Sequence, residues 1–205
     1  METPLLVPSF SSKGFRVAKK RSEIRDAVEL TCRWLTESML VSAYDLHYGH
    51  IPSPDELDGT PELIVVDSGG YEMRVEHDLS TSVHVPHKPA KWTPQMLSDQ
   101  LSKWDDRFPA AFVSFDDPKT PVPVPDQIEA AADLLEQYPK QLHTFLLKPE
   151  TDRQRYVQEA VASLTGVIHS LHRFHIIGVT EKELGASVLD RMATIARLRR
   201  RLDEA

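Results

Sequence analysis

The sequence predicts an α/β protein of the (β/α)-barrel type, with about six strand–helix units and parallel strands. Three observations predict it. Short apolar, often β-branched runs alternate with stretches of helical periodicity through most of the 205 residues. Polar side chains gather directly after those runs: Ser9 and Ser11, Asp45 and His47, Asp67 and Ser68, Asp116 and Asp117, Lys148 and Glu150, Thr180 and Glu181. Barrels carry ligand chemistry on the loops at the C-terminal ends of their strands, which is this arrangement. Finally, an open doubly wound sheet would use a phosphate loop, and neither GxGxxG nor GxxxxGK[ST] occurs.

Each unit has its own signals. The first strand is expected at residues 5–10, and after a loop holding Gly14 a helix at 23–36 shares one face among Ile24, Ala27, Val28, Thr31, Trp34 and Leu35. The second strand, 39–43, runs into Tyr44-Asp45-Leu46-His47-Tyr48-Gly49, and the third, 63–66, reads as a strand buried on both faces. Thr93-Pro94 offers an N-cap with proline at the first helical position, ahead of the stripe Met96, Leu97, Leu101 and Trp104. The fourth strand is 111–115. Asp126 with Glu129 reads as a capping-box variant before Ile128, Ala131, Ala132, Leu135 and Tyr138. Strands at 143–147 and 174–177 follow, and Ser187 precedes a last helix with Leu189, Met192, Ile195, Ala196 and Leu202 on its apolar stripe. The proline-rich segment 119–125 reads as a stiff loop inside a single domain spanning 1–205.

Composition bounds the class. A chain 40% hydrophobic and 27% charged is an ordinary globular one, and a net charge of −7 argues against nonspecific coating of nucleic acid while leaving a specific basic face open. The single Cys32 excludes an intrachain disulfide and any Cys-rich zinc site. The opening METPLLVPSF has neither the basic region nor the apolar length of a secretion signal, and no run of about 18 apolar residues occurs, so no membrane association and a cytoplasmic location are expected.

The stretch LIVVDSGGYEMRV is the most informative in the chain. An apolar strand stops on an acid, a serine and two glycines, and an acid at the end of a buried parallel strand is where active sites are built. Asp67-Ser68-Gly69-Gly70-Tyr71 resembles the DSGG(F/Y)Q segment of the tRNA-guanine transglycosylase superfamily, at the end of the third strand as in that family. In the same order, LLVPSF is similar to the family's first strand, YDLHYG to the loop after its second, FVSFDD to its fourth-strand segment and IIGVTEKELG, more loosely, to its sixth.

The resemblance implies a pentosyltransferase on a TIM barrel that exchanges guanine in a nucleic acid, tRNA or DNA, for a 7-deazaguanine. It implies that Asp67 is the acid serving in proton transfer, that Ser68, Gly69, Gly70 and Gly178 line the base pocket, that Tyr71 stacks on the base and that Asp116 recognises it. The residue types suit base recognition, since carboxylates accept from a purine's N–H groups, an aromatic ring covers its flat face, and glycines admit close approach. The chain departs from the family pattern at Glu72, where a glutamine is usual, at Leu147-Lys148-Pro149-Glu150 and at Gly178-Val179, departures that point to a divergent branch such as one acting on DNA. The family's eighth-strand nucleophile and Cys₃His zinc site have no counterpart, so no cofactor is expected. The chain is expected to be a fragment, a smaller closed variant, or one completed by a homo-oligomer or partner chain. Asp45, Asp117 and Glu181 are the rim acids left to serve as nucleophile, with His47 and Lys148 as further rim residues. The alternative is a catalytically incomplete base- or nucleic-acid-binding subunit.

Simpler readings compete at several positions. Asp67 and Asp116 can each cap a turn. His169, His172 and His175, and the pair His84 and His87, lack an accompanying HExxH glutamate, and the first set runs off a helix into a strand, so its members share no face. A divalent metal between Asp67, Asp116 and His47 would mark an unrelated barrel hydrolase or lyase. Arg197, Arg199, Arg200 and Arg201 read as a solvated helix face, Lys19, Lys20 and Arg21 as an exposed loop, Trp34 and Trp104 as core, and Cys32 as a small buried residue.

Overall fold

The computed structural model describes residues 7–10, 21–57, 61–70, 72–73, 90–107, 109–115, 122–147, 168–179 and 187–204. Two compact units divide the chain, Met1–Pro118 and Lys119–Ala205. The division falls at the proline-rich segment. All described strand pairing within each unit is parallel, as the strand–helix alternation requires.

In the first unit β1 (Ser9–Phe10), β2 (Ser38–Ser42), β3 (Leu63–Asp67) and β4 (Ala110–Val113) lie side by side in chain order. Helix α1 (Arg21–Trp34) connects β1 to β2, a short helix α2 (Ala43–His47) follows β2 directly, and α3 (Pro94–Leu101) precedes β4. The core is made by Met39 and Val41 of β2, Ile64 and Val66 of β3, all of β4, and Val28, Leu97, Leu101 and Trp104 from the helices. β3 departs from expectation. Only Ile64 and Val66 are fully buried, while Leu63, Val65 and Asp67 are half-buried, so the strand alternates rather than being sealed on both faces.

Helix signals are legible at the caps and less so along the faces. Thr93 accepts the Met96 N–H at 3.3 Å with Pro94 at the first helical position, as its sequence predicts. On α1 the buried face centres on Val28, with Ala27 and Thr31 half-buried, but Trp34 is 71% exposed and is no core residue. It sits on the last turn, where the chain leaves for β2, and the Arg33 guanidinium lies 5.4 Å from its ring. Periodicity identifies a face but not how far along the helix the core extends. Cys32 is half-buried, and burial raises its thiol pKa.

The second unit pairs β5 (Leu142–Leu147) with β6 (Ile176–Val179), with α4 (Val124–Gln137), the short α5 (Ile168–Leu171) and α6 (Val188–Glu204). Val124, Ile128, Ala131, Phe145, Leu147, Leu171, Phe174 and Leu198 form its core, with Phe145 and Phe174 stacked at 5.5 Å. The expected cap at Asp126 is not formed. Pro125 fits the first turn, so α4 starts at Val124 with Pro123 before it, and Asp126 is an exposed first-turn acid. On α6 the Ser187 hydroxyl accepts from Asp190 N–H at 3.2 Å while the Asp190 carboxylate accepts from Ser187 N–H at 3.1 Å, a closed capping box.

The expected apolar stripe of α6 is not the face that packs. Leu189, Met192 and Ile195 are exposed, and the helix packs instead through Thr194 and Leu198, with Arg191 and Leu202 half-buried. Thr194 tolerates burial because its hydroxyl donates to Asp190 O at 2.9 Å. Arg199 and Arg200 are exposed and pair with Asp203 and Glu204 along the same helix, the solvated face their spacing predicts. His169 lies on α5, His172 in the turn after it and His175 just before β6, so the three share no face.

Candidate functional site

The site is built where β2 and β3 end. Register pairs Ser42 with Asp67, so both strands deliver their last residue to one edge of the first unit. β2 passes straight into α2, which buries Tyr44 and Asp45 and closes at Gly49, whose φ of +66° is the left-handed conformation glycine favours. Asp45 is wholly buried. Its Oδ1 lies 3.0 Å from His50 Nδ1, and because a carboxylate can only accept, the ring N–H is the donor.

β3 passes into the turn Ser68-Gly69-Gly70. Gly69 N–H approaches Asp67 Oδ2 at 3.4 Å, a long and weak contact, and Gly70 N–H donates to Ser68 Oγ at 3.3 Å. Asp67 therefore does act locally on its turn, but through a marginal bond, and its side chain remains half-buried at the strand end. Gly69 is required twice over. Its φ is +81°, and a Cβ there would stand 2.7 Å from Tyr44 Cβ and 3.0 Å from Trp92 Nε1. Trp92 in turn donates its indole N–H to Ser68 O at 2.8 Å, holding the turn against α2.

Around this turn the aromatic side chains form one contiguous cluster. Tyr44 meets Tyr48 at 4.8 Å and Trp92 edge-on at 5.7 Å, His47 meets Trp92 at 5.5 Å, and Tyr48 stacks on His50 at 5.9 Å. The Tyr44 hydroxyl accepts from Ala90 N–H at 2.7 Å, and the Tyr48 hydroxyl donates to the Lys91 carbonyl. Tyr44 and Trp92 are buried parts of the scaffold, whereas His47 and His50 are exposed at its edge.

Glu72 completes the site. It is 2% exposed, two residues past the glycine pair, and its pKa is pushed up to about 8, first by burial and then by the negative charges of Asp45 and Asp67. Its own backbone N–H and the Ser42 hydroxyl oppose the shift without cancelling it. A buried carboxyl with its pKa raised in this way is a common feature of functional sites.

The expected site residues thus fall into three groups. Asp67, Ser68, Gly69, Gly70, Asp45 and His47 come together in the first unit, although Asp45 is buried and does not face solvent. Gly178 lies within β6 of the second unit, where a Cβ would meet Leu146 Cδ1 at 3.0 Å, so its bareness serves strand packing there. Tyr71, Asp116, Asp117, Lys148, Glu181 and the pair His84 and His87 lie outside the described residues. Tyr44, His50 and Trp92 belong to the site without being among the residues expected there. Tyr44, His47 and Tyr48 do carry a signal, the i, i+3, i+4 spacing of one helix face. Trp92, far along the chain and beside the Thr93 cap, carries none.

Among the described residues no group of three or more His, Cys, Asp or Glu side chains could hold a metal ion, and no helix is long and apolar enough to cross a membrane. Compared with protein-family models, with curated proteins and with solved structures, the chain gives no match.

Proposed function

We propose that this protein is a transglycosylase-like enzyme that recognises guanine or a 7-deazaguanine through the Asp67 turn and exchanges such a base in a nucleic acid. The observation that carries the reading is the half-buried Asp67 at the end of a parallel strand, on a glycine turn packed against an aromatic cluster and backed by two buried acids. An isolated turn cap needs none of that: burying like-charged carboxyls together is costly, and such sites persist where charge is used. Asp67 accepts from the base N–H groups and moves the proton. Ser68, Gly69 and Gly70 let the base approach the backbone, and Tyr71 and Asp116 supply the stacking face and the second acceptor. The parallel strand–helix repeat is compatible with a scaffold of the transglycosylase type.

A second reading is favoured by one observation. Double displacement needs an accessible carboxylate as nucleophile besides the acid, and of the site's described carboxyls Asp45 is 0% and Glu72 2% exposed, leaving Asp67 alone within reach of a ligand. On that reading the chain binds the base or nucleic acid and a partner supplies the nucleophile. Incubating the protein with radiolabelled guanine and either tRNA or double-stranded DNA separates the two. Label incorporated by the native protein and not by Asp67→Asn supports exchange. Base binding without incorporation supports the binding subunit, and neither sinks both.

A further inference from the structure

We propose that His50 is a catalytic residue positioned by Asp45, and that its Nε2 takes a proton from a water molecule that attacks the sugar of a guanine-type nucleotide. The chain then releases the base by hydrolysis of the N-glycosidic bond, an activity distinct from base exchange. The proposal rests on the reading that the Asp67 turn holds such a base.

Its grounds are the contacts of one ring. His50 Nδ1 lies 3.0 Å from Oδ1 of Asp45, a side chain with no exposure, while the His50 side chain is 42% exposed. The turn that carries His50 does not need this bond. It is already closed by the His50 N–H donating to Asp45 O at 2.8 Å, by the Tyr48 N–H donating to Tyr44 O at 3.1 Å and by the left-handed Gly49. Burying a carboxyl to hold a surface ring is costly, and what the bond adds is the orientation and tautomer of that ring. With Nδ1–H donated to Asp45, the lone pair is on Nε2, and Tyr48, stacked at 5.9 Å and 24°, fixes the ring plane. A histidine oriented by an acid through its other nitrogen is the arrangement that general-base catalysis uses. One side chain joins this ring to the Asp67 turn. Tyr44 Cβ stands 2.7 Å from where a Gly69 Cβ would be, and the Tyr44 ring centroid is 6.0 Å from that of His50. Among the described carboxyls of the site only Asp67 is accessible, so the nucleophile that this arrangement activates is water. In the step, a water proton passes to Nε2 as the water oxygen bonds to C1′, and the C1′–N9 bond breaks with its electron pair leaving on the base. The base takes up a proton from solvent through Asp67, and His50 returns its own to solvent, leaving the base and an abasic sugar hydroxyl.

The test incubates the full chain with double-stranded DNA and, separately, with tRNA, and follows free guanine by chromatography. The native protein should release guanine, and the polymer that reacts identifies the source of the nucleotide. His50→Ala should release it about 100-fold more slowly, the lower end of what a general base contributes. Added imidazole, a small substitute for the missing ring, should restore part of that rate without raising the native one. Asp45→Asn, whose amide can donate to Nδ1 and so move the ring proton to Nε2, should lower kcat and leave KM unchanged. A folded His50→Ala protein that releases guanine at the native rate, or whose loss imidazole does not restore, overturns the proposal. So does a native protein that binds guanine in calorimetric titration and releases none, a result that leaves base recognition standing. If guanine is neither bound nor released, the base-recognition reading falls together with the proposal.

Discussion

Replacing Gly69 by alanine tests the packing of the site without touching a charge. At φ +81° an L side chain carries a conformational penalty of about 1–2 kcal/mol. Its Cβ would also stand 2.7 Å from Tyr44 Cβ and 3.1 Å from Tyr44 N, backbone-anchored atoms that cannot swing aside, and 3.0 Å from the Trp92 nitrogen that donates to Ser68 O. Relieving such overpacking typically costs about 1–3 kcal/mol. Gly69→Ala should therefore lose about 2–5 kcal/mol of stability. Gly49 is the internal control. It too is left-handed, at φ +66°, but a Cβ there meets nothing within 4 Å, so Gly49→Ala should lose only the conformational part, about 1–2 kcal/mol. Urea unfolding followed by tryptophan fluorescence reads the first unit, since Trp92 and Trp104 are buried there and Trp34 is already exposed. If Gly69→Ala loses no more than Gly49→Ala, the turn is not wedged between Tyr44 and Trp92, and the packing reasoning fails.

Further outcomes follow from the same contacts. As pH rises from 4.5 to about 8 the unfolded chain releases the Glu72 proton while the folded chain keeps it, so stability falls across that window. The loss is on the order of 5 kcal/mol when complete, and it should be missing from Glu72→Gln; equal pH slopes for the two proteins in urea unfolding would contradict it. Thr93→Ala removes the acceptor for Met96 N–H and should cost about 1 kcal/mol, with faster hydrogen exchange confined to the first turn of α3. On α6, Leu198→Ala should cost about 2–5 kcal/mol and Met192→Ala less than about 0.5 in thermal unfolding. The reverse order would restore the stripe that the apolar spacing favours.

How far the sequence reveals this protein depends on which physical signal a feature leaves. Parallel strands alternating with helices are legible because buried apolar runs and turn residues are local. So are the caps at Thr93 and Ser187, whose bonds span three residues. The faces of α1 and α6 are not, because periodicity assigns an apolar side without saying which neighbour covers it, and Trp34, Leu189, Met192 and Ile195 remain exposed. In the site, Asp67 and its glycines stand out as an interruption of an apolar strand. Glu72 enters only as a departure from a resembling motif. Its significance comes from burial beside Asp45, 27 positions earlier by number, which no local pattern records. Trp92 is hidden for the same reason: its bond to Ser68 joins residues 24 apart in the chain.

On the function proposed above, the Asp67 turn accepts hydrogen bonds from a guanine-type base. Calorimetric titration of the purified protein at pH 7 with guanine, 7-deazaguanine and adenine, repeated with Asp67→Asn, tests it most directly. The first two should bind and adenine, which lacks the paired N–H donors, should not, and that binding should be lost in a folded Asp67→Asn protein. Equal binding of all three bases, or binding that survives Asp67→Asn, would contradict it.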